Sequence, residues 1–258
     1  MPQVDFRSPR LFLDAPLSEG SRLTLDRDQA NYLGNVLRLR AGDTVLVFNG
    51  SDGEWLSAIE GTKRPESLAV RTRTRPQQRL PDLTYAFAPL KHARLDYMVQ
   101  KAVEMGAAAL QPVVTRFTQA SRVNLERMRA NVVEAAEQCG LLSLAAVADP
   151  VPLERWLAGR QAPRLLVFCD EAAAVADPVT ALAAHRDTAA GIDVIIGPEG
   201  GFAEDERALL ARQPRVLTLS LGPRILRADT AAVAALALVQ AVLGDWAAPD
   251  PRLRRTDH

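Results

Sequence analysis

Cysteine is scarce in this chain: Cys139 and Cys169 are the only two, far apart and outside any C-x-x-C spacing. The three histidines, His92, His185 and His258, are equally scattered. Structural zinc sites and disulfide frameworks need clustered ligands, so these absences predict a reduced, cytoplasmic protein with no metal. Long apolar runs are missing as well. The longest, 231–239, falls far short of the ~20 residues that a membrane-spanning helix requires, and the opening MPQVDFRSPRLFL holds no apolar stretch of the kind a secretory leader carries. No membrane association is expected. Net charge is absent too, because 31 Lys and Arg offset 31 Asp and Glu. Any affinity for nucleic acid must therefore reside in a local patch. What the 258 residues do supply is chain enough for one large or two modest domains, each with its own core.

Two regions differ in their patterning. Up to about Val70, short alternating runs (SRLTL, TVLVF, EWLSAI, SLAVRT) read as strands. Between the second and third lies NGSDG, whose Asn-Gly and Asp-Gly pairs tolerate the positive φ of a hairpin loop. A small antiparallel barrel is predicted, interrupted by one helix at RDQANYLGNVLRLR with Ala30, Leu33, Val36 and Leu37 on one face. A basic run comes next, in which Lys63, Arg64, Arg71, Arg73, Arg75 and Arg79 meet a single acid, Glu66. It reads equally as a charged strand edge or as a nucleic-acid contact. Pro76 and Pro81 mark a boundary. Beyond it strands (LTYAFA, ALQPVV, RLLVFC, IDVIIG, RVLTLS) alternate with helices, one ending at Gly106 and one opened by Asn124 and closed by Gly140. Alternation of this kind predicts a mostly parallel α/β sheet.

In such sheets ligands bind beyond the carboxyl ends of the strands. The loop after the first strand, APLKHARLD, has no glycine, which counts against a dinucleotide-type fold. The glycines come late, in IGPEGGFAEDE and LGPRILRADTA. The first of these lacks the Lys-Ser/Thr pair of a phosphate loop, and Glu199 would repel a phosphate there.

These two loops, in this order, resemble the RsmE family of SPOUT methyltransferases, which methylate N3 of a uracil in small-subunit (16S) ribosomal RNA with S-adenosylmethionine. The resemblance extends to LKHARLDYMVQKAVEMGA, to EAAEQCG, and to PRLFLD and NVLRLRAGDTVLVFNGSDGEW, which are similar to the family's PUA-like RNA-binding domain. It implies a PUA-like β-barrel over 1–75, a trefoil-knotted SPOUT domain over 82–246 and a tail over 247–258. It also implies a homodimer that uses the C-terminal helix, and 16S RNA within the assembled small subunit as partner. By this resemblance the cofactor lies against Ile196, Gly197, Pro198, Glu199 and Gly200 from one loop and Leu219, Ser220, Leu221, Gly222, Ile225 and Leu226 from the other.

Methyl transfer to a uracil nitrogen requires loss of its proton, and an arginine stabilises the charge that spreads onto the carbonyl oxygens. Arg227 is the first choice, with Arg224 second and assigned to RNA; Glu199 is one candidate proton acceptor, directly or through water, and the base is left unassigned. The structural alternative pairs Arg227 with Glu199 to brace the knot. Arg10, Arg38, Arg40, Lys91 and Arg94 are the remaining RNA contacts implied, with surface charge as the alternative for Arg10 and Arg40. Lys101 and Glu104 brace their helix or the dimer. The chain departs from the family pattern at Asn31, Phe117, Leu141, Ala203 and Asp229. Ala203 removes one half of a capping box with Glu206, Asp229 is one methylene shorter than the usual glutamate, and Phe117 and Leu141 stand where arginines are common. A non-catalytic RNA-binding scaffold, or a SPOUT enzyme acting on transfer RNA or a ribose oxygen, are the competing readings.

Overall fold

The computed structural model describes residues 8–91, 93–120, 122–161, 163–174, 177–186 and 190–246. The tail expected at 247–258, with His258, and His92 fall outside the described residues. Two compact units are distinguished, residues 1–79 with 133–144 and residues 80–132 with 145–258.

The first unit is a curled five-stranded sheet of order β1-β3-β4-β5-β2, made of β1 (Arg10–Phe12), β2 (Arg22–Thr24), β3 (Thr44–Phe48), β4 (Glu54–Glu60) and β5 (Ser67–Arg75). Four of the five are the alternating runs read from sequence. The sheet curls as the small barrel expected, with β1 and β2 at its ends, and its pairing is antiparallel except for β1 with β3, which is parallel. Gly50 and Gly53 adopt φ of +86° and +87° in the β3–β4 turn, and the Asn49 side chain accepts from the Ser51 and Asp52 amides. Leu33, Val45, Val47, Ile59, Leu68 and Val70 form its core.

The helix expected over RDQANYLGNVLRLR changes register. α1 (Arg27–Asn31) begins with a capping box between Asp26 and Gln29, then gives way to a π-turn over Tyr32–Val36. The wider turn rotates its later residues off the α-helical face, so Leu33 is buried but Val36 is 61% exposed. Arg38 leaves this turn at φ +58°, a left-handed conformation that costs a non-glycine residue roughly 1 kcal/mol or more.

Arg10 is corrected by the structure. It is buried at 6% exposure, and its Nε donates to Glu54 Oε2 at 3.0 Å. Arg75, read as part of the basic run, is buried on the same carboxylate at 2.6 Å and also donates to the Gly140 carbonyl. Neither side chain offers a surface charge to RNA.

The second unit is a parallel sheet of order β12-β10-β11-β6-β7-β8. Its strands are β6 (Leu83–Phe87), β7 (Ala109–Val114), β8 (Ala146–Val147), β10 (Leu165–Cys169), β11 (Ile192–Ile196) and β12 (Val216–Leu219), with β9 (Val151–Pro152) paired to β7. The central strands are apolar on both faces, as a doubly covered sheet demands. On one face Ala86, Phe168 and Ile195 pack with Leu157 of α4 (Leu153–Gly159) and Leu210 of α6 (Glu204–Ala211). On the other, buried Tyr85 donates to Met98 Sδ of α2 (Ala93–Glu104). Asp193, buried within β11, is held by Arg160 at 2.9 Å and Arg164 at 2.8 Å.

β11 enters between β10 and β6, β12 adds outside β10, and α7 (Ala228–Val242) returns to pack on α2 and β11. This late insertion of β11 beside β10, with α7 returning over it, is the strand order that accompanies the trefoil reading. Gln240 of α7, 1% exposed, anchors the return by donating to the Met105 carbonyl at 2.7 Å. α7 is not buried all round: Ala232, Ala235, Leu236 and Val239 are buried, whereas Ala231, Ala234 and Leu238 stay half-exposed.

Candidate functional site

β11 and β12 both pair with β10, one on each side. Strands lie ~4.8 Å apart, so the loops leaving their carboxyl ends, 197–203 and 220–227, start about two strand spacings apart with the end of β10 between them. The floor is closed: the Asp170 amide donates to the Leu219 carbonyl at 3.0 Å, and the Asp170 carboxylate takes Arg207 at 2.7 Å. Burial pushes the Cys169 thiol up to about 12, which keeps it protonated at neutral pH and removes a thiolate nucleophile from this end of the sheet.

The second loop is poor in internal bonds. Among the described residues, no backbone–backbone hydrogen bond outside strands and helices involves residues 221–226. Gly222 sits at φ +105° with open space where a Cβ would stand. Leu219 is fully buried, Leu221 and Leu226 are half-buried, and Ile225 projects at 92% exposure. Amides and carbonyls not bonded to other backbone groups, beside half-covered aliphatic side chains, fit a ligand that is largely apolar with a few polar edges, such as an adenosyl group. In the first loop, Ile196 and Pro198 are buried, and Gly197 leaves room for the Phe202 ring, which a Cβ would meet at 2.8 Å. The residues present therefore suit S-adenosylmethionine.

The charged residues are arranged differently from the bracing alternative. Glu199 pairs with Arg94, Nη1 to Oε1 at 2.9 Å, while Arg94 Nε reaches Asp229 Oδ2 at 3.2 Å. One guanidinium thus ties the start of α2 to the first late loop and to the first turn of α7. The shorter Asp229 carries one of these contacts. Arg94 Nη2 is shielded from solvent and has no partner among the described residues. Arg227, at the N-cap of α7, is exposed and makes no ion pair among the described residues, and Arg224 is exposed on the same loop. Lys91 is exposed just before α2, and Arg38 and Arg40 are exposed in the first unit. Lys101 and Glu104 pair with each other at 2.7 Å.

The bridging role of Arg94 carried no sequence signal, because its partners lie 105 and 135 positions away. Phe117 was legible only as a departure. It stands on the turn after β7, 46% exposed, where a Cβ on Gly200 would lie 3.3 Å from its own Cβ.

A parallel sheet with two late loops opening over one strand, in a chain that also carries a small curled β-sheet unit, defines an RNA methyltransferase of the SPOUT class. Residues 76–240 match the family model of the RNA methyltransferase domain, and residues 25–70 match that of the RNA methyltransferase PUA domain. The chain belongs to the ribosomal RNA small subunit methyltransferase E family. It is 31% identical to the protein of that name from Rickettsia conorii, over 90% of this chain and 94% of the relative, and 33% identical to that of Synechocystis, over 86% and 73%. Among solved structures it resembles the small subunit methyltransferase E of Neisseria gonorrhoeae bound to S-adenosyl methionine, at TM-score 0.82 and 26% identity over 93% of this chain and 100% of that one. A putative methyltransferase of Legionella pneumophila in complex with the same cofactor matches at TM-score 0.79 and 27% identity, over 91% and 98%.

Proposed function

We propose that the chain transfers the methyl group of S-adenosylmethionine to N3 of a uridine in 16S ribosomal RNA, acting on the small subunit in the cytoplasm as a homodimer. The observation that carries the reading is the pair of late loops, 197–203 and 220–227, flanking the end of β10, the second with no loop backbone–backbone hydrogen bond over 221–226 among the described residues. When bound, the cofactor supplies an electrophilic methyl on a sulfonium. The chain's own work is to hold the nucleotide in line with it, which by positioning supplies much of the rate, and to manage the proton and charge of the uracil.

Arg227 is the charge stabiliser in this reading. It is an exposed cation at the mouth of the second loop with no ion-pair partner among the described residues, placed to meet the carbonyl oxygens as N3 loses its proton, and Arg224 stands three residues away to meet the RNA backbone. Glu199 gives one carboxylate oxygen to Arg94, and the other takes no bond from a described residue; this second oxygen is the proton acceptor proposed. Arg94 is then a positioning residue as well as an RNA-side cation, since it fixes Glu199 and its Nη2 has no acceptor among the described residues. The first unit, with exposed Arg38 and Arg40, takes RNA phosphates. Arg38 holds a strained left-handed backbone, and strain of this kind persists where structure over-determines it.

Calorimetry with S-adenosylmethionine, together with mass mapping of modified nucleosides in small-subunit RNA from cells lacking the protein, tests the whole reading. Absence of cofactor binding would leave a bare RNA-binding scaffold. Arg227→Ala should lower single-turnover methylation by ~10²-fold or more, the scale found when a charge-stabilising donor is removed. Cofactor affinity should be kept. Rescue of the rate by saturating RNA would instead make Arg227 a binding residue.

A further inference from the structure

The second unit carries a groove of about 910 Å³ between the start of α2 and the segment that leads into α3 (Leu125–Cys139). Leu90, Lys91 and Leu95 form one wall; Gln119, Arg122 and Arg129 belong to the other. We propose that this groove seats the single-stranded RNA adjoining the methyl-accepting nucleotide, with Lys91, Arg122 and Arg129 neutralising its phosphates and Phe117 stacking on one of its bases. The proposal rests on the RNA methyltransferase reading above and adds to it the place where the strand runs.

Charge is the first observation. Four cations and two carboxylates line the groove, and Asp96 is already committed, taking Arg127 at 2.9 and 2.5 Å and Asn131 at 2.9 Å. Glu126 alone is left against Lys91, Arg122 and Arg129, all exposed and none in an ion pair among the described residues. The second observation is where the walls lead. Arg94, between Lys91 and Leu95 on the α2 side, bonds Glu199; Phe117, two residues before Gln119 on the other side, packs against Gly200. Both walls therefore meet the first late loop at consecutive residues, so a strand lying in the groove is delivered to the place where the methyl donor is held.

The third observation is that Phe117 is presented on a braced turn. The Thr118 amide donates to the Thr115 carbonyl at 3.1 Å, and the Thr115 amide donates to Thr118 Oγ1 at 2.8 Å. The Arg116 amide donates to Glu206 Oε1 at 2.8 Å and its guanidinium to Asp205 at 2.5 Å, fixing the turn to α6. A half-exposed phenylalanine held on a braced turn beside exposed cations is the combination that binds single-stranded nucleic acid, in which every base offers a face to stack and the backbone is neutralised alongside. An acidic protein segment would use the cations but gain nothing from a fixed flat ring.

The test measures binding of a fluorescein-labelled oligouridylate of about ten nucleotides, a length within single-strand site sizes, to the full chain across a salt series. Phe117→Ala should weaken binding about 10-fold or more at every salt concentration, leaving the salt slope unchanged, and Phe117→Trp should restore it. The triple variant Lys91→Ala, Arg122→Ala, Arg129→Ala should reduce the slope of log K against log salt by about 2, from ~0.7 per phosphate on a single strand. All of these side chains are surface groups, so melting temperature and S-adenosylmethionine affinity should stay at the parent's values. The proposal is overturned if the parent does not bind the oligonucleotide, if either variant binds as the parent does, or if polyglutamate competes as well as RNA. Parent chain that fails to bind S-adenosylmethionine overturns the underlying reading instead. Cofactor binding and subunit methylation with an indifferent Phe117→Ala sink only the groove.

Discussion

Glu54 has no exposed surface, and a carboxylate so placed must be matched by charge and hydrogen bonds. It accepts from Arg75 Nε and Nη2, Arg10 Nε and Thr74 Oγ1. Burial alone would raise its pKa, but the hydrogen bonds and charge of Arg75, with those of Thr74 and Arg10, outweigh burial and hold it below the usual carboxylate range. The depressed value sets the sign of its effect. Its contribution to stability is complete above the unfolded-state pKa near 4.5 and is lost as pH falls through the folded value. Glu137 works in the opposite sense, since burial pushes it up, so the comparison must isolate Glu54. Urea melts of the parent and of Glu54→Gln at neutral pH should differ by ~3–5 kcal/mol, the scale for stranding buried charge. The gap should narrow as pH drops below the carboxylate range. A constant gap down to pH 3 would remove the ionised pair from the account. Arg10 departs from expectation for a related reason: an arginine near the start of a chain looks like surface charge until its partner, 44 positions on, is known.

Elements were legible where a local rule acted alone. The apolar runs RLLVFC, IDVIIG and RVLTLS became β10, β11 and β12, and Gly106 and Gly140 end α2 and α3 at φ +78° and +77°. Reading failed where the backbone chose between near-equal options, as at the π-turn that rotates Val36 outward, or where an element is too short to show a period, as with the two-residue β8 and β9. α6 shows a rule half obeyed. Glu206 Oε2 accepts the Ala203 amide at 2.9 Å, so its half of the capping box survives without the hydroxyl, while Oε1 takes the Arg116 amide. Ala203 itself offers no acceptor to the helix's free amides. Ala203→Ser should supply it and stabilise the protein by ~0.5–1 kcal/mol, seen as a rise of ~2–4 °C per kcal/mol in a thermal melt. An unchanged or lower melting temperature would mean that this N-terminus already satisfies its amides elsewhere.

At the scale of the whole molecule, sequence patterning separated the two regions and placed the late loops, but it gave no sign that residues 133–144 join the first unit. Among the bonds that hold it there, the Phe12 amide to Glu137 at 2.8 Å spans 125 positions and Arg75 to the Gly140 carbonyl spans 65, and nothing periodic records such distant pairs. α7 presents the same difficulty in another form. Its composition announces burial, yet one chain buries only one stripe and leaves Ala231, Ala234 and Leu238 half-exposed. In the homodimer proposed above, this stripe of aliphatic residues on the final helix would be the surface a second copy covers, with isologous contacts about a two-fold axis. Because Leu238 is half-exposed within the chain, Leu238→Asp should spare the fold, whereas in a dimer it would place an unpaired carboxylate in an apolar contact, at a cost of several kcal/mol. Light scattering should report a dimer for the parent and a monomer for the variant, with the variant's circular dichroism unchanged. Parent chain that is already monomeric, or a variant that remains a dimer, would remove α7 from the interface. Unfolding of the variant would show instead that Leu238 belongs to the core of a single chain.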